Sequence, residues 1–137
     1  MKTILIDSGP LIALFDASDR YHNKTVEFIR NNSYGLVTGI ASITETMHML
    51  DFNRNAQLDF IQWIINGGVI IEEIENEELI RIKYLLDKYQ DLPMDFADAC
   101  LVYFGEKLGI DTIATIDRDF TIYRIKGRKK FKMAIRD

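Results

Sequence analysis

Short apolar runs, separated by longer stretches of helical periodicity, leave this chain few folds to choose from. The runs are residues 3–6, 36–38, 69–71 and 112–116, with a last one at 131–135. Between them apolar side chains recur at helical spacing. Tyr21, Thr25, Phe28 and Ile29 form one such series, and Leu79, Ile82, Leu85 and Leu86 another. Strands that alternate with helices need crossover connections, and crossovers build a parallel sheet covered by helices. The expected class is α/β.

Local signals place the helices. Ser8 offers an N-cap and Pro10 sits in the first turn of a short helix over 10–15. Asp19 opens a second. Ser42-Ile43-Thr44-Glu45 reads as a capping box that opens a third, running to about residue 52. A fourth covers 56–65 and ends at Gly67-Gly68, and a fifth covers 77–89. Pro93 breaks the chain before a sixth over 96–108, which stops at Gly109. No repeat, linker or low-complexity stretch divides the chain, so residues 1–137 are expected to form one domain. A single cysteine, Cys100, excludes an intrachain disulfide. The first apolar run is too short for a signal peptide, and none approaches the ~18 apolar residues of a membrane span. A cytoplasmic protein without membrane contact is expected.

In open α/β sheets, active sites lie at the carboxyl ends of strands. Asp7 directly follows the first run and Asp117 the fourth. Glu45 and Asp98 fall in the first turns of helices expected to start near the same rim. Asp119 lies two residues past Asp117, and Asp95 one helical turn before Asp98. Each acid has an ordinary explanation as a turn former, a capping glutamate or a favourable charge at a helix start. Their mapping to one rim is what points to chemistry. Carboxylates that crowd together cannot all ionise unaided, and a hard divalent cation such as Mg²⁺ or Mn²⁺ removes the conflict. Metal-assisted phosphodiester hydrolysis is the reaction class that fits. A zinc set is excluded, because His22, His48 and Cys100 are the chain's whole stock of histidine and cysteine. Structural roles are expected for His22 and Cys100, and a partly buried place for His48. A phosphotransfer pocket fits poorly, since the third run leads into Glu72-Glu73 and position 9 is glycine.

Net charge is −4, which alone disfavours a nucleic-acid partner. Its distribution is uneven. Arg124, Lys126, Arg128, Lys129, Lys130, Lys132 and Arg136 follow Phe120 with no acid among them. This stretch is either a phosphate-binding stripe or a solubilising segment. Arg124, Lys126, Arg128, Lys129 and Lys130 are the candidate RNA contacts, with Tyr123 or Phe131 available to stack on a base.

Asp7-Ser8-Gly9-Pro10-Leu11-Ile12-Ala13-Leu14-Phe15-Asp16 resembles the opening of a PIN domain. Asp16-Ala17-Ser18-Asp19-Arg20-Tyr21-His22 continues it in the manner of the toxin-type, VapC-like members. Thr44-Glu45, then Asp98-Ala99 after Pro93, then Thr115-Ile116-Asp117-Arg118-Asp119-Phe120 match the later acidic elements in order. The resemblance implies a three-layer α/β/α fold with a five-stranded parallel sheet in the order 3-2-1-4-5. It also implies an endoribonuclease using one or two Mg²⁺ or Mn²⁺ ions, with Asp7, Glu45, Asp98 and Asp117 as the acidic set. Asp7, Asp98 and Asp117 would hold metal, with Asp119 an accessory ligand, and Ser8 and Thr115 would orient carboxylates. Asp95 is an additional acid that either binds metal or caps its helix. Members of this type commonly form homodimers, and many are toxins neutralised by a small antitoxin. The alternative is a catalytically silent module that binds RNA or protein.

Overall fold

Strand β1 (Thr3–Ile6) feeds two separate hydrophobic cores. Ile4 and Ile6 belong to one buried cluster and Leu5 to the other, as the alternation of strand side chains requires. The computed structural model describes residues 2–136. Its main sheet is parallel throughout, in the order β3 (Ile70–Glu72), β2 (Gly35–Gly39), β1, β4 (Thr112–Ala114) and β7 (Lys132–Met133). This is the expected topology, with β7 in the place foreseen for the fifth strand.

Two short strands intervene before that edge. β5 (Arg124–Ile125) and β6 (Lys129–Lys130) pair as an antiparallel hairpin outside the main sheet. Its turn takes positive φ at Lys126 (53°) and Gly127 (75°), and the Arg128 N–H donates to the Ile125 carbonyl at 3.1 Å. Two successive left-handed residues twist a turn in the sense that suits a hairpin.

One face of the sheet carries α1 (Ser8–Phe15), α2 (His22–Asn31), α3 (Ile40–Met49) and α4 (Arg54–Ile65). Leu11, Ile43, Leu50 and Phe60 are buried there, with Phe15, Phe28 and Trp63 packed around them. The other face carries α5 (Leu79–Lys88) and α6 (Phe96–Leu108), with Ile82, Leu85, Leu101 and Phe104 buried. The result is the expected three-layer arrangement. Helix α6 is apolar nearly all round, which suits a helix enclosed by sheet, α5 and hairpin. Gly109 ends it in the left-handed conformation, at φ 67°.

Several boundaries depart from expectation, each for a local reason. Helix α2 starts at His22, because the Tyr21 N–H donates to the Asp19 carboxylate (2.8 Å) and holds that stretch in a turn. Helix α3 starts at Ile40, with Gly39 as its cap and no side-chain bond there. The capping box expected at Ser42 does not form, and Glu45 lies in the second turn. β4 ends at Ala114, two residues earlier than expected, so Asp117 lies beyond a short loop and not at the strand end. The fifth helix begins as a 3₁₀ turn, Asn76–Glu78, capped by Glu75.

Candidate active site

The turn after β1 does two jobs. The Asp7 N–H donates to the Ala114 carbonyl (3.0 Å) and so extends the β1–β4 pairing. Its carboxylate then caps α1, accepting from the Ser8 N–H at 2.8 Å. The other carboxylate oxygen accepts from the Thr115 hydroxyl at 3.0 Å. That hydroxyl in turn accepts from the Asp117 N–H at 2.9 Å. One threonine thereby ties the turn after β1 to the loop after β4. The Asp117 carboxylate accepts from the Asp119 N–H at 2.9 Å, which turns the chain into a 3₁₀ segment, Arg118–Thr121.

Helix α6 delivers Asp98 from the third side. Asp95 caps the helix by accepting from the Asp98 N–H (2.8 Å), and Asp98 returns the contact by accepting from the Asp95 N–H (3.3 Å). Of the two roles open to Asp95, the structure shows the cap. From α3, the Glu45 carboxylate accepts a short hydrogen bond from the Ser8 hydroxyl.

Carboxylate oxygens of Asp7, Asp98 and Asp117 lie within 4.8 Å of one another. Glu45, Asp95 and Asp119 join them around one open depression of about 450 Å³. Asp7 and Asp98 are buried, at 6% and 7% exposure. Burial pushes the Asp7 carboxyl up to about 6, helped by Asp117 and Glu45 and opposed by the bonds from Ser8 and Thr115. Burial, then the charges of Asp7, Asp95 and Asp117, push Asp98 up to about 8. Asp119 is also raised, by burial and by Asp117. Near neutral pH Asp98 therefore keeps a proton that an isolated carboxylate would shed. An all-oxygen, anionic donor set of this kind fits a hard divalent cation. Asp7, Asp98 and Asp117 are the residues placed to hold one.

Other expectations meet different fates. The His22 ring donates from Nδ1 to the Ala13 carbonyl at 2.7 Å, joining α2 to α1. His48 is exposed rather than partly buried. Cys100 is buried in the α6 core. Tyr123 and Phe131 are buried, at 0% and 6% exposure, so neither can stack on a base. Among the described residues, the buried Tyr123 hydroxyl has no hydrogen-bond partner. Arg124, Lys126, Arg128, Lys129 and Lys130 do not line the acidic depression. The Arg124 guanidinium donates to the Thr121 and Ile122 carbonyls, closing its own turn. Lys126 donates its backbone N–H to Glu106 near the end of α6, and Lys129 pairs with Asp111 just before β4 (2.9 Å). That is the opposite rim of the sheet from Asp117. A second cleft, not foreseen, does adjoin the acids: Lys24, Arg118 and Arg136 line it, and it shares Ile116 and Asp117 with the depression.

Residues 4–126 match the PIN domain family. Ribonuclease VapC26 of Mycobacterium tuberculosis is 26% identical over 131 residues, spanning 93% of this chain and 97% of that protein. The crystal structure of Mycobacterium tuberculosis VapC20, a sarcin-ricin loop cleaving toxin, has the same fold. It aligns with a TM-score of 0.79 at 19% identity, over 87% of this chain and 93% of the other. A match that runs through almost every element described above is more than the likeness of one motif, and the chain belongs to the PIN domain family.

Proposed function

We propose that this protein is a metal-dependent endoribonuclease that hydrolyses RNA phosphodiester bonds, and the toxin of a toxin–antitoxin pair. The observation that carries the reading is the convergence of Asp7, Asp98 and Asp117 within 4.8 Å, from three separate elements, with Asp7 and Asp98 buried. Mutually repelling carboxylates are costly to bury, and a divalent cation gives them a use. The 26% identity to a ribonuclease over nearly the whole chain supports the same chemistry.

Mg²⁺ or Mn²⁺, when bound, would polarise the phosphodiester and lower the pKa of the attacking water. The chain's own residues supply the frame. Asp7, Asp98 and Asp117 each present an oxygen, and Thr115 fixes the first and last of these relative to each other. Glu45, oriented by Ser8, faces the same depression and is placed to take a proton from water. Asp119 stands on the wall as an accessory ligand through water. Hydrolysis adds water across one P–O bond, and the proton taken up is returned to the leaving oxygen.

We also infer a single domain, a cytoplasmic location, an antitoxin partner and a homodimer. Among the described residues, no helix is long and apolar enough to cross a membrane. Exposed Met49, Phe52, Leu58 and Ile65, on and beside α3 and α4, offer a second copy an apolar face.

The test is cleavage of total RNA by purified protein with Mg²⁺, with Mn²⁺ and with EDTA, beside Asp98→Asn. Cutting that needs metal and vanishes in the variant supports the reading. Cutting that survives EDTA, or survives the substitution, refutes it. Sedimentation of the purified chain checks the dimer.

A further inference from the structure

Among the described residues, no cation lines the acidic depression; beside the acids its wall is neutral, with Ser8, Gly9, Ile12, Met49, Pro93 and Ile116. An RNA strand approaching it meets repulsion unless positive charge lies close by. The cleft next door, about 490 Å³ in volume, supplies that charge. Lys24 comes from α2, Arg118 from the turn directly after Asp117, and Arg136 from the chain beyond β7. Tyr21, Met133 and Ile135 give the cleft an aromatic and aliphatic lining. Ile116 and Asp117 belong to both hollows, so the two adjoin there. The hollow beside the basic hairpin, by contrast, shares no residue with the acidic depression.

We propose that this cleft binds the nucleotide adjoining the scissile phosphate of the RNA, an assignment that rests on the nuclease reading above. A nucleotide presents an anionic phosphate and a flat, largely apolar base. Cations from three elements address the first, and Tyr21, Met133 and Ile135 address the second. Lys24 and Arg118 also interact within the chain, so a phosphate adds to or exchanges with contacts already made. Positive charge flanks the acids on the Asp117 side, which draws the phosphate backbone to that side of the site.

The experiment measures anisotropy of a short fluorescein-labelled single-stranded RNA of mixed sequence, in the non-cutting Asp98→Asn background, across a salt series. Lys24→Glu and Arg136→Glu are each expected to weaken binding about tenfold, with a salt slope shallower by about 0.7 to 1. With Asp98 restored, each raises KM for RNA cleavage and leaves kcat and Mg²⁺ affinity unchanged. Lys83→Glu, the same charge change on α5, alters neither binding nor cleavage. Arg136→Ala gives a milder version of the same loss if charge reversal disturbs folding. Unchanged binding and salt slope in both cleft variants overturn the assignment while RNA cutting itself stands. A parent protein that neither binds nor cuts RNA overturns the nuclease reading and the cleft with it.

Discussion

Replacing Asp98 with asparagine should stabilise the metal-free protein and abolish its activity. The Asp98 carboxyl is pushed from an ordinary 3.8 to about 8 by burial and by Asp7, Asp95 and Asp117. At pH 7 the unfolded chain ionises this group while the folded chain holds its proton. Each pKa unit corresponds to about 1.4 kcal/mol, so holding that proton at pH 7 costs up to about 4 kcal/mol of stability. Asparagine cannot ionise and still offers an oxygen to the Asp95 N–H. Burying its amide retains part of the cost, which leaves an expected gain of about 2 kcal/mol. For a domain of this size that is roughly 6–8 °C in Tm. The sign with pH follows from the raised folded pKa. The carboxyl's contribution is fully present below about pH 4 and is lost as pH rises toward 8. Thermal melts in EDTA should therefore show the parent the more stable near pH 4, the two curves crossing at about pH 5, and the variant the more stable by pH 8. Saturating Mg²⁺ should reverse the order, because the parent gains binding energy that the variant lacks. A variant less stable than the parent in EDTA at pH 8, or a difference independent of pH, would refute the argument.

Thr115→Val removes the hydroxyl that links Asp7 to Asp117, and should weaken Mg²⁺ binding about ten- to hundredfold by calorimetry, with Thr115→Ser restoring it. Gly39→Ala places a methyl 2.9 Å from the Phe104 ring and should cost about 1–3 kcal/mol in urea unfolding; a neutral result would mean that α3 and α6 can part without penalty. Tyr123→Phe deletes a buried hydroxyl that has no partner among the described residues, so stability should stay the same or rise by about 1 kcal/mol, and a clear loss would reveal a partner for that oxygen.

The strands and the acids were legible because both are written locally, whereas the order of the strands came only from the family resemblance. An apolar run marks each main strand, and an aspartate soon after β1 or β4 is visible without knowing what it touches. What could not be read depends on distant residues. Gly39 begins α3 early, against the face where Phe104 of α6 packs, and no signal near Ser42 announces this. Glu45 has the look of a capping glutamate, yet its partner is Ser8, 37 residues away. The basic run is conspicuous on paper, but its lysines serve a hairpin and Asp111 at the far rim. Of the cations that do border the acids, only Arg136 belongs to that run, and Lys24 and Arg118 come from other segments that form no pattern with it along the chain.

The hydrogen bond from Thr115 to Asp7 joins residues 108 positions apart. A ribosome must therefore synthesise most of this polypeptide before the two halves of the acidic cluster exist together. A truncated nascent product ending before β4 would lack both Thr115 and Asp117, and could not assemble the acidic cluster at all. On the nuclease reading proposed above, every nascent chain that stops short of residue 117 is inert toward RNA, and the acidic centre is completed only late in the synthesis of this domain.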